Sequence, residues 1–293
     1  MKYAFIKEHC SQFRVSSMCR VLQASASGYY DWRGRRESER MRADMQLLAQ
    51  IRAVHSEHRQ VYGAVKTWRT LKARGLTCGK HRVARLRRAA GIESVRKRAF
   101  RALAGRERRA LAARDLLQRQ FVAAAPNRIW VGDMTQIRTF AGWLYLAVLV
   151  DLYSRKVVGW AMGASANEGL AVSALDMAIA HRRPPAGLIQ HTDQGPAYTS
   201  HHYRARLSSA GLRASNAGAG ACYDNAAAES FFSTLKNEMT HQRRLRSTQE
   251  ARTAVFDYIE VFYNRKRIHQ NLDYRTPEAV ELGANSTCPR NPG

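Results

Sequence analysis

Cysteine, acidic side chains and long apolar runs are all scarce in this sequence. Five cysteines are spread over 293 residues with no C-x-x-C pair, which argues against a disulfide framework. The longest apolar run, residues 143–150, is far too short to span a bilayer, and the amino terminus lacks the features of a signal or transit peptide. These absences predict a reduced protein of the cytoplasm with no membrane segment.

The shortage of acidic residues leaves the chain strongly basic. Lys and Arg number 48 against 23 Asp and Glu, a formal net charge of +25. Residues 1–125 hold 29 basic and 9 acidic residues, whereas residues 126–293 hold 19 and 14, so the excess lies in the first half. Arg is much commoner than Lys, and its guanidinium binds phosphate through two parallel hydrogen bonds. The first half is therefore predicted to bind nucleic acid, the alternatives being a solvated or a membrane-facing basic surface.

Two short helices joined by a tight turn are predicted within the basic half. After a helical stretch at 43–60, the segments 62–75 and 78–92 each show helical apolar spacing and close with glycine. The second of these helices carries a row of arginines, Arg82, Arg85, Arg87 and Arg88. This pattern is typical of a helix-turn-helix that binds DNA, although a small three-helix bundle with a merely basic surface fits it as well.

The second half changes from helical to strand-like patterns. Three apolar runs, RIWVGDMTQIRTF, WLYLAVLVDLYSR and KVVGWAMGAS, are followed by the amphipathic segment NEGLAVSALDMAIAHRR. A buried strand, LIQHT, then precedes a helix over 200–210, a short strand near Leu212 and a long helix from about Asn225. This order predicts an α/β fold with a ribonuclease-H-like mixed sheet flanked by helices, preceded by a helical helix-turn-helix-like DNA-binding region.

Three acidic residues of the second half are candidates for a metal site. Asp133 and Asp193 lie in strand-like segments, and Glu229 lies in a helical one. Carboxylates and water are the ligands that Mg²⁺ prefers, and two such ions can hold both the attacking and the leaving oxygen of a phosphodiester. In a chain this basic, the three acids indicate a site that cuts a polyanion, whereas three unrelated surface acids would be the ordinary explanation elsewhere.

Five short motifs surround these acids. They are W-x-x-D-M-T at 130–135, D-x-x-S-R-x-x-V-G-W at 151–160, H-T-D-Q-G-x-x-Y at 191–198, Y-D-N-A-x-x-E-S-F-F at 223–232 and Y-N-x-x-R-x-H at 263–269. In this order, with 35 residues between Asp193 and Glu229, the chain resembles the OrfB-type DDE transposases of bacterial insertion sequences. The catalytic core of that family is similar to retroviral integrase. The resemblance covers nearly the whole chain, because residues 43–92 also resemble the family's helix-turn-helix-like segment.

The resemblance implies a role for each acid and a cofactor. Asp133 and Asp193 would bind metal from neighbouring strands, and Glu229 would complete the cluster from a helix. The cofactor would be two Mg²⁺ ions, with Mn²⁺ as a substitute. One site would first nick an element end and then join its 3′-hydroxyl to target DNA.

Helical spacing adds two residues beside Glu229. Asn225, Glu229 and Lys236 are four and seven residues apart and share one face, whereas Phe231 and Leu235 lie on the opposite, apolar side. Lys236 is expected to contact the phosphate of the bound DNA end, the alternative being a solvent-exposed lysine. Asn225 is expected to contact DNA or, together with Asp224, to cap the helix.

Other polar residues of the motifs have less defined roles. The last motif contributes four residues that are expected to follow the DNA backbone, Tyr263, Asn264, Arg267 and His269. Asp151 ends a strand, and a structural role is favoured over metal ligation. His191 shares a strand face with Asp193, so it either approaches the metal ions or packs in the core.

The pattern divides the chain into six parts. These are an N-terminal helical segment (1–42), a helix-turn-helix-like DNA-binding domain (43–95), a basic linker helix (96–125), the catalytic core (126–240), its C-terminal helical extension (241–283) and a disordered tail (284–293). The expected partners are element-end and target DNA and further copies of the chain. The chain begins where OrfB begins, so an OrfA partner or fusion is also expected.

Three functions remain open from the sequence. The favoured one is a Mg²⁺-dependent transposase that acts in the cytoplasm, on the nucleoid. A DNA-binding regulator without catalysis is the second, and a ribonuclease-H-like nuclease that cleaves without joining is the third. The intact acids argue against the second, and the basic first half and Lys236 argue against the third, because joining must hold two DNA molecules at once.

Overall fold

The structure is a computed structural model that describes residues 2–34, 38–95, 115–117, 123–216, 226–240 and 245–287. The chain forms two compact units, residues 1–52 and residues 53–293. The basic linker predicted at 96–125 lies almost entirely outside the described residues.

The first unit begins with three short helices, α1 (Lys2–His9), α2 (Val15–Val21) and α3 (Ala26–Gly34). Their apolar sides meet in a small core of Ile6, Met18, Cys19 and Tyr29. These helices agree with the helical segment predicted at 1–42, and Gly28 lies inside α3. Its lack of a side chain has a packing reason, because a Cβ there would overlap the Tyr3 hydroxyl.

Three further helices cover the basic segment, α4 (Glu39–Glu57), α5 (Ala64–Ala73) and α6 (Lys80–Ala89). Leu71, Val83 and Leu86 form the buried sides of α5 and α6. The turn between these two helices is held by the Trp68 indole, whose Nε1 donates to the Cys78 carbonyl at 2.9 Å. The predicted pair of short helices with a tight turn is therefore present.

A five-stranded mixed sheet forms the centre of the second unit. Its strands are β1 (Ile129–Thr139), β2 (Gly142–Asp151), β3 (Val157–Gly163), β4 (Ile189–Thr192) and β5 (Arg213–Asn216), in the order β3-β2-β1-β4-β5. The first three form an antiparallel meander, and β4 and β5 continue parallel to β1. This is the predicted ribonuclease-H-like order.

Helices cover both faces of the sheet because its strands are apolar on both sides. Along β2, Leu146 and Val148 belong to one core, whereas Ala147 and Leu149 belong to the other. The second face is covered by α7 (Glu168–Arg182), α8 (Pro196–Thr199) and α9 (His201–Ser209). The first face is covered by α10 (Ala226–Leu235) and α11 (Thr248–Phe256).

The C-terminal part is helical but irregular. Two π-helical segments, Lys236–Thr240 and Asp257–Tyr263, continue α10 and α11, and a 3₁₀ turn, Gln270–Leu272, precedes α12 (Pro277–Thr287). The disordered tail predicted from residue 284 is therefore corrected for 284–287, which are helical, and residues 288–293 lie outside the described residues. Across the described helices, none is long and apolar enough to cross a membrane.

The close packing of α7 on β3 depends on Gly159 and supports a stability prediction. A Cβ at this position would collide with the Ala174 carbonyl oxygen and lie 2.7 Å from the Ala178 Cβ. We expect Gly159→Val to lower the free energy of unfolding by about 3 kcal/mol or more, because the helix must move off the sheet. Thermal unfolding measures this effect.

The matched control for Gly159→Val is Gly169→Ala within α7. A Cβ there meets only the Asn167 Oδ1, at 3.5 Å, which is an ordinary contact. Alanine in a helix is favoured over glycine, so this variant is expected to unfold at the same or a higher temperature. Equal melting temperatures for Gly159→Val and the parent would contradict the packing argument.

Candidate active site

Two of the predicted acids lie side by side in the middle of the sheet. β1 and β4 pair in parallel with Gly132 opposite Thr192, and Asp133 and Asp193 are the next residue on each chain segment. Neighbouring strands lie about 4.8 Å apart. This register therefore brings the carboxylates of Asp133 and Asp193 close to each other. The parallel pairing of β1 with β4 therefore joins two acids that are distant in the sequence.

Hydrogen bonds from the backbone orient both carboxylates. The Met134 N–H donates to Asp133 Oδ1 at 2.7 Å, and the Gly195 N–H donates to Asp193 Oδ1 at 2.9 Å. The Asn216 side chain, on β5, donates from Nδ2 to the Asp193 carbonyl at 3.0 Å. Asp193 is exposed and Asp133 is partly buried, so the pair is open to solvent on the Asp193 side.

The third acid, Glu229, is carried by α10. Phe231 and Leu235 are 1% and 0% exposed in the core beneath this helix, as the helical spacing predicts. Glu229 lies on the exposed side of α10, which packs across β1 and β2. The helix thus holds its acid over the strand that carries Asp133.

The three acids are electrostatically coupled. Burial raises the pKa of Asp133 to about 7, and the negative charges of Asp193 and Glu229 contribute to this increase. The Met134 N–H and the positive charge of Lys236 act in the opposite direction. Burial also raises the pKa of Glu229. A carboxylate whose pKa is raised by like charges is typical of a site that receives a cation or a proton.

The donor set fits a divalent cation by its chemistry. A bound cation would relieve the repulsion that raises the pKa of Asp133, and carboxylate oxygens are the ligands that Mg²⁺ prefers. Within the described residues, however, no group of three or more His, Cys, Asp and Glu side chains is arranged closely enough to hold a metal ion.

Lys236 lies at the edge of this site. It is the first residue after α10, where the helix changes to π-helical geometry, and it is partly buried. Burial lowers the pKa of Lys236, and the negative charge of Asp133 opposes that change. The side chain is therefore within electrostatic range of Asp133, in agreement with the shared helical face.

Tyr198 is a residue near the acids that sequence reasoning did not select. It is 6% exposed, and its hydroxyl has no hydrogen-bond partner among the described residues. Burial raises the pKa of Tyr198 well above its ordinary value, and the charges of Asp133 and Asp193 raise it further. Tyr198 is the last residue of the H-T-D-Q-G-x-x-Y motif, so the motif could have identified it as a candidate site residue.

His191 and Asp151 are both buried and held by hydrogen bonds inside the fold. His191 is 0% exposed, and its Nδ1 lies 2.9 Å from the Ser215 Oγ on β5, so it packs between strands. Asp151 accepts hydrogen bonds from the backbone N–H groups of Asn127 at 2.7 Å and of Tyr153 at 2.9 Å. These contacts fix the turn after β2, as favoured from the sequence.

The arginines predicted on α6 differ in exposure. Arg85 and Arg88 are exposed and Arg82 is partly buried, so their side chains reach the surface. Arg87 is 4% exposed and donates from Nη1 to the Thr67 Oγ1 at 3.1 Å. We withdraw Arg87 from the expected DNA contacts, because its guanidinium binds α5 inside the helix pair.

The four residues predicted to follow DNA near the C-terminus also need correction. Asn264 is 2% exposed. Its Nδ2 donates to the Val157 carbonyl and its Oδ1 accepts from the Val157 N–H, each at 3.0 Å. Arg267 is 6% exposed and forms a salt bridge to Glu238 at 2.7 Å. We withdraw these two as DNA contacts, because both side chains are held inside the fold.

Tyr263 is 4% exposed, so we withdraw it as a DNA contact as well, whereas His269 is only partly buried. Their rings contact each other edge to face, with centroids 4.8 Å apart, and both line a pocket beside α10. Asn225, which was predicted to cap α10 or to contact DNA, lies outside the described residues.

Three segments of the chain match known protein families. The family described as "Integrase core domain" matches residues 123–222, and a second family with the same description matches residues 229–280. The family described as "HTH-like domain" matches residues 42–100. The first two matches contain the three acids, and the third contains α5 and α6.

Two curated proteins are similar over nearly the whole chain. "Transposase InsF for insertion sequence IS3A" from Escherichia coli (strain K12) is 40% identical over 283 residues, which cover 96% of this chain and 98% of that protein. "Insertion element IS600 uncharacterized 31 kDa protein" from Shigella sonnei is 40% identical over 262 residues, which cover 89% and 96%. Among solved structures, a simian T-cell lymphotropic virus intasome bound to PP2A regulatory subunit B56 gamma shows 21% identity and a TM-score of 0.47, covering 74% of this chain and 73% of that one.

Proposed function

This chain belongs to the IS3 family of DDE transposases, and from that premise we propose that Asp133, Asp193 and Glu229 are its catalytic metal ligands. The reaction is cleavage of insertion-sequence ends followed by joining of the new 3′-hydroxyl to target DNA. The observation that carries the assignment is the register of β1 against β4, which brings Asp133 and Asp193 to one edge under the helix of Glu229.

The three carboxylates would hold two divalent ions, Mg²⁺ or Mn²⁺. When bound, such ions supply a more acidic water or an oriented 3′-hydroxyl and stabilise the leaving oxygen. Asp133 and Asp193, oriented by backbone N–H groups, present oxygen atoms in a set direction. Glu229 would supply the third carboxylate from the exposed side of α10, which packs across β1 and β2.

Lys236 is proposed to bind the phosphate of the DNA end. Its positive charge acts on Asp133, so it lies within electrostatic range of the carboxylates that would hold the metal ions. A lysine binds phosphate as a point charge, so it attracts the strand without demanding one geometry. It also offsets part of the negative charge that the acids present to the approaching DNA.

DNA is the proposed substrate of both halves of the chain. The helix pair α5–α6 carries Arg82, Arg85 and Arg88 toward the surface, and the whole chain has a net charge of +25. We propose that the helix-turn-helix-like region, residues 43–95, binds element ends, while the core acts on them. Further copies of the chain on the two element ends, and an OrfA-type protein, are the proposed protein partners.

The joining of DNA strands distinguishes a transposase from a nuclease that only cleaves and from a regulator that only binds DNA. We expect the full chain, given an oligonucleotide duplex of an element end and Mg²⁺, to produce both a nicked strand and a product longer than the substrate. Chelation with EDTA should remove both products, because the carboxylates alone cannot activate a hydroxyl.

Denaturing gel electrophoresis with a labelled strand resolves the outcomes of that assay. Cleavage without any longer product would favour a nuclease that does not join. DNA binding with neither product, in the presence of both an element end and metal, would favour a regulator. Activity that persists in EDTA would contradict the metal-dependent mechanism.

A further inference from the structure

Tyr198 has a buried hydroxyl without a hydrogen-bond partner, close to two of the proposed metal ligands. The residue is 6% exposed, and its Oη makes no hydrogen bond to any described residue. A tyrosine hydroxyl that is removed from water normally finds a partner, and leaving it without one costs free energy. Phenylalanine would fill the same space without that cost, so packing alone does not account for the hydroxyl.

The ring of Tyr198 is held in place by its neighbours. It packs edge to face on the Tyr203 ring, with centroids 5.3 Å apart, and belongs to the core that contains Trp130 and Leu149. Rotation of the ring about its Cβ–Cγ bond leaves Oη where it is. The position of the hydroxyl oxygen is therefore fixed together with the ring.

The turn before α8 ties Tyr198 to Asp193. The Gly195 N–H donates to Asp193 Oδ1 at 2.9 Å, and the Gly195 carbonyl accepts from the Tyr198 N–H at 3.0 Å. A Cβ at residue 195 would lie 2.9 Å from the same carboxylate oxygen, so the turn closes tightly around Asp193. One residue thus links the carboxylate of Asp193 to the backbone of Tyr198.

Asp133 lies just beyond the last strand pair on the β4 side of β1. That last pair is Gly132 with Thr192, so the described strand β4 does not continue alongside Asp133. Burial raises the pKa of Tyr198, and the negative charges of Asp133 and then of Asp193 raise it further. The hydroxyl is therefore protonated and lies within electrostatic range of both carboxylates.

We propose that the Tyr198 hydroxyl is a positioning group that donates a hydrogen bond to the Asp133 carboxylate when the acids hold divalent metal. An ionised carboxylate accepts hydrogen bonds and donates none, so a protonated hydroxyl is a suitable partner. Hydrogen bonds to ligating carboxylates orient them toward the metal. The inference rests on the proposed function, because it takes Asp133 and Asp193 to be metal ligands.

Tyr198→Phe is the test variant, because it removes the hydroxyl and keeps the ring. Mn²⁺ alone is the probe, and electron paramagnetic resonance follows its binding to the full chain without DNA through the loss of the free-ion signal. We expect the affinity for Mn²⁺ to fall about tenfold or more, the usual effect of removing a group that is hydrogen-bonded to a metal ligand. Affinity equal to that of the parent would overturn the inference.

Tyr203→Phe is the matched control. Tyr203 is 1% exposed, and its hydroxyl also lacks a hydrogen-bond partner among the described residues. Burial alone raises the pKa of Tyr203, with no contribution from a carboxylate of the described chain. The affinity for Mn²⁺ should therefore be unchanged in this variant. An equal loss in Tyr203→Phe and Tyr198→Phe would indicate a general effect on the core and would overturn the inference.

Melting temperatures without metal test whether the hydroxyl is free in the unloaded fold. Both phenylalanine variants should unfold at the temperature of the parent or above it, because each removes a buried hydroxyl that has no partner. A clearly lower melting temperature for Tyr198→Phe alone would show that its hydroxyl already stabilises the metal-free fold, which contradicts the inference.

Single-turnover joining provides a readout that a merely structural role would not move. In Tyr198→Phe the Mg²⁺ concentration that gives the half-maximal rate should rise about tenfold, in line with the weaker metal binding. The rate at saturating Mg²⁺ should stay close to that of the parent, because excess metal restores the loaded site. A lower saturating rate with an unchanged Mg²⁺ dependence would argue against a role in holding the metal ligand.

Asp133→Asn separates failure of this inference from failure of the proposed function. If the parent binds Mn²⁺, Asp133→Asn does not, and Tyr198→Phe binds as the parent does, only the role of Tyr198 is lost. If the parent binds no Mn²⁺, or Asp133→Asn binds it equally well, both the proposed metal site and the inference are overturned.

Discussion

Asp133→Asn, Asp193→Asn and Glu229→Gln are each expected to reduce cleavage and joining by about a thousandfold or more. Loss of one ligand from a two-metal site removes several kcal/mol of transition-state stabilisation, and each factor of ten in rate corresponds to about 1.4 kcal/mol. Single-turnover assays with Mg²⁺ measure both products. A variant that keeps near-normal joining would show that its residue is not a ligand.

Affinity for DNA should survive these three substitutions, because binding depends mainly on basic residues elsewhere in the chain. The fold should survive as well. Neutralising Asp193 removes a negative charge that raises the pKa of Asp133, so the metal-free variant is expected to be at least as stable as the parent. Asp176→Asn, which alters an acid on α7 paired with Arg206, is the control and should leave joining unchanged.

DNA binding by the full chain should weaken steeply as salt is raised. A protein that touches six or more phosphates loses on the order of a thousandfold in affinity between about 50 and 200 mM salt. With a net charge of +25, this chain has ample basic residues for that number of contacts. Anisotropy titrations at several salt concentrations give the slope, and a flat response would contradict binding along the DNA backbone.

The salt titration needs the full chain rather than its basic first half. The Tyr62 hydroxyl donates to the Lys266 carbonyl at 3.1 Å and accepts from the Ile268 N–H at 2.8 Å. Arg59 pairs with Asp257 and stacks on the Phe262 ring, with 4.7 Å between its Cζ and the ring centroid. A fragment that ends at residue 125 would lose all of these partners.

Local pattern in the sequence was enough to predict the sheet and the side of α10 that bears Glu229. Apolar runs long enough for strands, with turn signals between them, predict the β1–β2–β3 meander because strand pairing between sequence neighbours needs little further information. Phe231 and Leu235 are buried and Glu229 is exposed because helical periodicity alone separates them. The relation of Asp133 to Asp193 was reached through the family resemblance, and the parallel register of β1 and β4 agrees with it.

Tertiary structure alone decided which cations are available to DNA. In the sequence Arg87 is one of a row of arginines, and Arg267 lies in a basic segment. In the structure Arg87 is buried against Thr67, 20 residues away, and Arg267 is buried against Glu238, 29 residues away. Spacing in a sequence reports which side of its own element a residue occupies. Which residues pack against an arginine depends on contacts that are distant in the sequence. Only the folded chain therefore separates structural arginines from those that are free to bind DNA.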